Sequence, residues 1–122
     1  MNKFIKFFTM LFLLSACANN TPNIKNKNYV MNEDGINITL KLSEDGGYSG
    51  KVINNYFGNY KLKGNTIKFS LAGATMMMGP RNEMEAEGRF FEVLQKINSF
   101  ELKNKELLFY TTDGKTLKFI EN

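Results

Sequence analysis

The chain has 122 residues, 43% of them hydrophobic and 23% charged, with a formal net charge of +4, which bounds it to a single globular domain. It contains no His and a single Cys, so the commonest general base and metal ligand is missing and no intrachain disulfide can form. Its lysines are interspersed with Asn and Glu and there is no Arg cluster, which excludes the concentrated basic footprint of a nucleic-acid binder.

The first sixteen residues have the three parts of a targeting signal: Lys3 and Lys6, an apolar run from Phe7 to Leu14, and small Ser15 and Ala16. The apolar run is shorter than the roughly 20 residues a spanning helix needs, so residues 1–16 are expected to be removed rather than to stay as an anchor. Without Lys3 and Lys6, fourteen basic groups face twelve acidic ones. Leu14-Ser15-Ala16-Cys17 resembles the lipobox of bacterial lipoproteins. That resemblance implies cleavage after Ala16 and acylation (diacylglycerol, palmitate-type chains) on Cys17. Two or three acyl chains, at about 0.8 kcal/mol per buried methylene, anchor a protein durably. Ala18, rather than Asp, after the Cys implies the outer membrane, with the domain on its periplasmic face. Residues 17–28, rich in Asn, Thr, Pro and Lys, read as a flexible tether, which leaves residues 29–122 as the folded body.

Tyr29 to Met31 is a short candidate strand, and Asn32 to Gly35 is a turn by composition. Ile36, Ile38, Leu40 and Leu42 alternate with polar residues, the period of a half-buried strand. After a turn at Asp45-Gly46-Gly47, a strand from Tyr48 leads into Asn54, Tyr56, Gly58, Tyr60 and Leu62 on one side of an extended chain, with Ile53 and Phe57 on the other. Gly58 inside that run predicts a bulge or a close backbone approach. Lys63-Gly64-Asn65 turns the chain, and Ile67, Phe69 and Leu71 alternate on the return strand. From Asn82 the period changes: Phe90, Val93, Leu94 and Ile97 make a helical stripe, with Asn82 as the expected cap and the firmest part at 89–97. Strands follow at 99–102 and 107–110, and Asp113-Gly114 is expected to make a two-residue turn with both residues at positive φ. The sum is an α+β domain: a strongly curled, barrel-like antiparallel sheet of six to eight short strands with one inserted α-helix.

Ser49-Gly50, the N-x-Y-x-G-x-Y pattern of Asn54, Tyr56, Gly58 and Tyr60, and then Thr75, Met77 and Pro80 resemble the META domain of HslJ-type heat-shock lipoproteins. The resemblance runs from about Ile36 to the C-terminus. It implies a barrel-like sheet packed with a helix, a setting in stress response, and no established enzymatic activity. Enteric-type members often carry a Cys before the motif Asn and another before the Pro. Here those positions are Ile53 and Gly79, so any thiol role the family suggests is absent.

Met76-Met77-Met78 offers soft thioether donors, but successive strand residues alternate faces and no His completes a shell. Core and edge filling is the expected role, and neither a metal nor another cofactor is expected. Glu83 and Glu87 are spaced as a helical pair, and a solvated face is the expected reading. Thr75 is expected to satisfy backbone groups at a strand end. The expectation is therefore a non-enzymatic, lipid-anchored structural or protein-interaction module of the cell envelope. Tyr56, Phe57 and Tyr60, clustered around Gly58, are the candidate contact residues. The alternative is a carrier that holds an apolar ligand inside the curled sheet.

Overall fold

The computed structural model describes residues 23–122; the expected leader at 1–16 and Cys17 lie outside the described residues. Strands β1 (Asn28–Glu33), β2 (Ile36–Leu42), β3 (Gly47–Lys51), β4 (Asn55–Lys63) and β5 (Thr66–Ala74) lead to helix α1 (Arg81–Leu94). β6 (Ile97–Lys103), β7 (Glu106–Thr111) and β8 (Thr116–Glu121) follow. Every strand pairs antiparallel with the next, and β8 pairs back on β1, so the sheet closes into a barrel in chain order. This is the curled antiparallel sheet with one inserted helix that the periodicity predicts, at the upper end of the expected strand count.

Alternation places the side chains. Ile38, Leu40 and Leu42 point inward and are buried, while Asn37, Thr39 and Lys41 between them are exposed. The same period of two buries Tyr56 and Tyr60 on β4, Ile67 and Phe69 on β5, and Leu107 and Phe109 on β7. Inside, aromatic rings meet edge to face. Phe69 packs against Tyr48 and Phe109 at centroid distances of 5.2 and 5.4 Å, and Phe109 packs against Phe119 at 5.7 Å. Helix α1 lies at the end of the barrel where β5 finishes, and sends Phe90 and Leu94 into the core. Phe90 reaches the ring of Tyr56 at 5.4 Å. The eight strands, the helix and the core cluster of the described residues form one closed unit.

The two ends of the barrel differ. The N-terminal end carries the entry to β1 and the β2–β3, β4–β5 and β6–β7 turns; the helical end carries the β3–β4 corner, α1 and the β7–β8 turn. Two seams are thinly paired. β5 meets β6 in register only at Thr66 and Ser99, and β1 meets β8 at Tyr29–Glu121 and Val30–Ile120.

Tyr48, Gly50, Tyr56 and Gly58 explain how β3 and β4 pack so tightly. Tyr48 lies directly opposite Gly58, and Gly50 opposite Tyr56, so each tyrosine crosses a glycine on the neighbouring strand. The Tyr56 hydroxyl donates to the carbonyl of Thr39, two strands away on β2, and the Tyr48 hydroxyl donates to the carbonyl of Ser70 on β5. A Cβ on Gly58 would sit 2.0 Å from Ser70 O and 2.7 Å from the Tyr48 hydroxyl. The expected irregularity is present: the β4–β5 register shifts between Phe57 and Gly58.

Several expectations need correcting. The tether does not extend to Asn28. Ile24 is fully buried and its carbonyl accepts from the Tyr29 hydroxyl at 3.0 Å, because an apolar side chain six residues from Val30 finds the open end of the core. The helix begins at Arg81 and stops at Leu94, and Pro80 rather than Asn82 occupies the cap position, with no side-chain cap. Proline's fixed φ suits helix entry, and the Pro80 carbonyl accepts from Met84 at 3.0 Å. Ile97 is buried, but as the first residue of β6; its place in the helical stripe coincides with the strand's inward face. At the β7–β8 turn only Gly114 has positive φ, and the Thr111 N–H donates to the Lys115 carbonyl, so the loop is wider than two residues. The pair with both residues at positive φ is Asp34-Gly35, at 52° and 85°.

The glycine crossing predicts effects of opposite sign at two positions. Gly58→Ala is expected to destabilise the fold by about 2–4 kcal/mol through overpacking and the loss of the Tyr48 hydrogen bond. Gly88→Ala, where a Cβ meets nothing within 4 Å on the helix, is expected to stabilise it by about 0.5–1 kcal/mol. Chemical denaturation of the two variants measures both; equal effects would show that Gly58 is not a crossing point.

Candidate functional site

The β3–β4 corner is built on a buried carboxylate. Glu87, on the inner side of α1, is 5% exposed and Asn54 is 3% exposed. Glu87 Oε2 accepts from the backbone N–H of Ile53 at 3.0 Å and of Asn54 at 2.7 Å, and Oε1 accepts from Asn54 Nδ2 at 2.8 Å. Asn54 Nδ2 also donates to the Met77 carbonyl at 3.2 Å, and Asn54 Oδ1 accepts from the Thr75 hydroxyl at 3.0 Å and from the Met77 N–H. Every hydrogen-bonding position of the Asn54 amide is used. The corner, the 75–80 segment and the helix are thus tied together by two side chains. The expected solvated face fails for Glu87, which is buried, while Glu83 is half-buried. Thr75 behaves as expected: its hydroxyl accepts from the Asn55 N–H at 3.1 Å.

Outside this corner lies an apolar surface. Phe57 is 51% exposed, and its ring lies over Gly73, where an added Cβ would sit 3.0 Å from Phe57 Cζ. Met76 and Met78 are 93% and 90% exposed, and Met77 49%. The methionines are therefore surface groups, not core filling; Asn54 holds Met77 by its main chain, which leaves the side chains outside. Of the three candidate contact residues only Phe57 reaches solvent. Tyr56 and Tyr60 are buried and donate their hydroxyls to the carbonyls of Thr39 and Ser43, because the pleat sends alternate β4 residues inward. Burial pushes the Tyr48 hydroxyl up to about 12 and raises Tyr56 further, with the Tyr48 hydroxyl adding to the rise. Both are neutral donors at physiological pH.

Ile53 and Gly79, the positions where the family resemblance implies a pair of Cys, lie side by side: a Cβ on Gly79 would meet Ile53 Cδ1 at 3.0 Å. Among the described residues no group of three or more His, Cys, Asp or Glu is arranged to hold a metal ion. None of the buried side-chain nitrogens or oxygens described lacks a partner. A groove of about 490 Å³ lies between α1 and the open part of the β1–β8 seam, floored by Met31, Phe90 and Leu117 and rimmed by Glu33, Arg89 and Lys115. It is a surface feature; the barrel interior itself is filled by the rings described above.

The fold is a small, closed antiparallel barrel with one helix, a Tyr–Gly crossing between β3 and β4 and a buried Asn at their corner. The META domain profile matches residues 22–122, so the chain belongs to the META domain family. No curated protein sequence matches it. Among solved structures it is similar to a protein from Burkholderia xenovorans determined by NMR, at 22% identity and a TM-score of 0.67, over 86% of this chain and 92% of that one. A second NMR structure is similar at 20% identity and a TM-score of 0.61, over 80% of this chain and 90% of that one. A DUF4847 family protein from Bacteroides vulgatus matches at 19% identity and a TM-score of 0.56, over 70% of this chain and 59% of its own. These likenesses establish the fold.

Glu87→Gln tests the corner. A glutamine must turn its NH2 towards either the two backbone N–H donors or Asn54 Nδ2, leaving donors opposed in a buried site. The expected loss is about 2–4 kcal/mol in denaturant unfolding. A loss under about 0.5 kcal/mol would mean that the carboxylate holds nothing together.

Proposed function

We propose that this protein is a lipid-anchored module of the bacterial cell envelope that works by contact with a protein partner, without turnover, in envelope or heat stress. The observation that carries the reading is the exposure of Phe57 and of Met76, Met77 and Met78, all towards the helical end of the barrel, opposite the end where the chain enters at Ile24. An acyl anchor on Cys17 would hold the N-terminal end against the membrane, on the periplasmic face of the outer membrane, and present the apolar surface away from it. Phe and Met are favoured at the cores of protein interfaces, and unbranched thioethers adapt to different partner shapes. The one deeply buried carboxylate, Glu87, is committed to three N–H donors. The carrier alternative finds less support, since the interior rings pack on one another.

Two experiments test the reading. Metabolic labelling with a clickable fatty acid is expected to mark the parent and not Cys17→Ser; equal labelling of both would remove the anchor. A deletion strain complemented with Phe57→Ala is expected to show the envelope defect, with the variant's melting temperature near the parent's because the ring is half-exposed. Normal growth of that strain under heat and detergent would reject Phe57 as the contact.

A further inference from the structure

Lys61, Lys63 and Lys68 are scattered members of a lysine-rich sequence, but the β4–β5 hairpin gathers them. Lys61 stands directly opposite Lys68, and Lys63 opposite Thr66. All three are exposed on the outer face, since Tyr60, Ile67 and Phe69 take the inner one. The three line one shallow depression of about 190 Å³, with Thr66, Ile67 and Asn98. Like charges directly opposite on a sheet are destabilising, and none of the three has an acidic partner among the ion pairs of the described residues.

The hairpin turn lies at the end of the barrel where the chain enters. With ion-paired groups set aside, that half carries Lys25, Lys41, Lys61, Lys63, Lys68 and Lys105 against Glu44 and Asp45. The helical half carries Lys51, Arg89 and Lys115 against Glu33, Asp34, Glu83, Glu87 and Glu92. The molecule is therefore positive at its N-terminal end and negative at its helical end.

We propose that the Lys61–Lys63–Lys68 face docks on the anionic phospholipid headgroups of the membrane beside the anchor, with a headgroup phosphate seated in the depression. Ammonium groups bind phosphate as point charges, and juxtamembrane lysines add attraction to an anionic leaflet that salt screens. The patch lies on the side of the molecule that a short N-terminal linker brings to the membrane. The Phe57 surface then faces outward. A competing role for these lysines exists. β5 is nearly unpaired towards β6, and charged residues on an open strand edge deter edge-to-edge aggregation.

The inference rests on the anchored reading for the nearness of the membrane, so its test leaves the anchor out. The chain from residue 18 onward, which contains every described strand and the helix and lacks Cys17, is first shown to unfold cooperatively and is then sedimented with vesicles of phosphatidylcholine alone or with 30% phosphatidylglycerol. Binding to the anionic vesicles only, lost at 0.5 M salt, is expected. Changing Lys61, Lys63 and Lys68 together to Gln is expected to weaken it about 30- to 100-fold, and Lys68→Gln alone about fivefold. The triple change of Lys51, Arg89 and Lys115 to Gln removes the same charge from the other end and is expected to leave binding within about twofold. Relief of the Lys61–Lys68 repulsion keeps the single variant folded, so its result stands even if the triple variant unfolds. Equal loss in both triple variants, or no preference of the parent for anionic vesicles, overturns the proposal. So does a hairpin variant that aggregates but binds as before, which would assign the lysines to edge protection. Acylation is read separately from the Cys17→Ser labelling, so either idea can fail without the other.

Discussion

The carboxylate of Glu87 is the point on which this fold turns. A closed barrel built from short hairpins has one long excursion, from Thr75 through α1 to Gln95, and something must bring that excursion back over the open end. Two side chains do so. Glu87 receives the backbone N–H groups of Ile53 and Asn54, and Asn54 in turn grips Met77 and Thr75. A buried carboxylate is costly unless each lone-pair direction finds a donor. Here three donors converge on it, and the Asn54 amide that supplies one of them is itself fully used. Removing either partner leaves the other's buried polar groups uncompensated, so the two residues act as a unit.

Around that corner the N-x-Y-x-G-x-Y pattern resolves into separate physical tasks at a spacing of two. Asn54 ties the corner to the helix. Tyr56 crosses Gly50 to reach β2, Gly58 yields its Cβ position to Tyr48, and Tyr60 reaches the Ser43 carbonyl at the far end. Spacing by two puts all four on the inner face. The tyrosine hydroxyls replace hydrogen bonds that the bulge and the strong curl of the sheet would otherwise leave unmade. The pattern is thus a device for closing a small barrel. Ile53 against Gly79 extends the same logic: an aliphatic contact and the Asn54–Glu87 network hold the corner together.

Alternation and turn chemistry carry most of the fold in plain view. β2, β4, β5, β7 and β8 follow their period of two, and Gly58 marks its bulge because glycine inside a strand has few other uses. The helix was legible as a stripe, Phe90 and Leu94, but not in its limits. Ile97 continues the stripe by coincidence, and the start depends on Pro80, whose carbonyl closes the first turn without any side-chain cap. Glu87 was not legible. A glutamate at i+4 from another on a polar helix start looks solvated, and only the tertiary approach of the β3–β4 corner supplies its donors. A faint signal existed in the burial of its neighbours: Ala86 and Phe90 flank Glu87 on the inner face, so the apolar arc brackets it. Met76 to Met78 depart from the expected core filling for a tertiary reason too: Asn54 holds Met77 by its main chain, and the side chains of the run stay outside. Lys61 and Lys68 are seven residues apart in sequence and adjacent only once the hairpin forms.

The corner and the hairpin lie at opposite ends of one rigid body, and that separation gives the fold its direction. Each strand of β4 and β5 is nine residues long, roughly 30 Å at about 3.3 Å per residue. Ile24 closes the N-terminal end. It is fully buried and its carbonyl accepts from the Tyr29 hydroxyl, so residues that composition alone assigns to a flexible tether belong to the folded body. The exposed Phe57 and the three methionines lie towards the other end, so the two ends of the barrel present different chemistry to their surroundings.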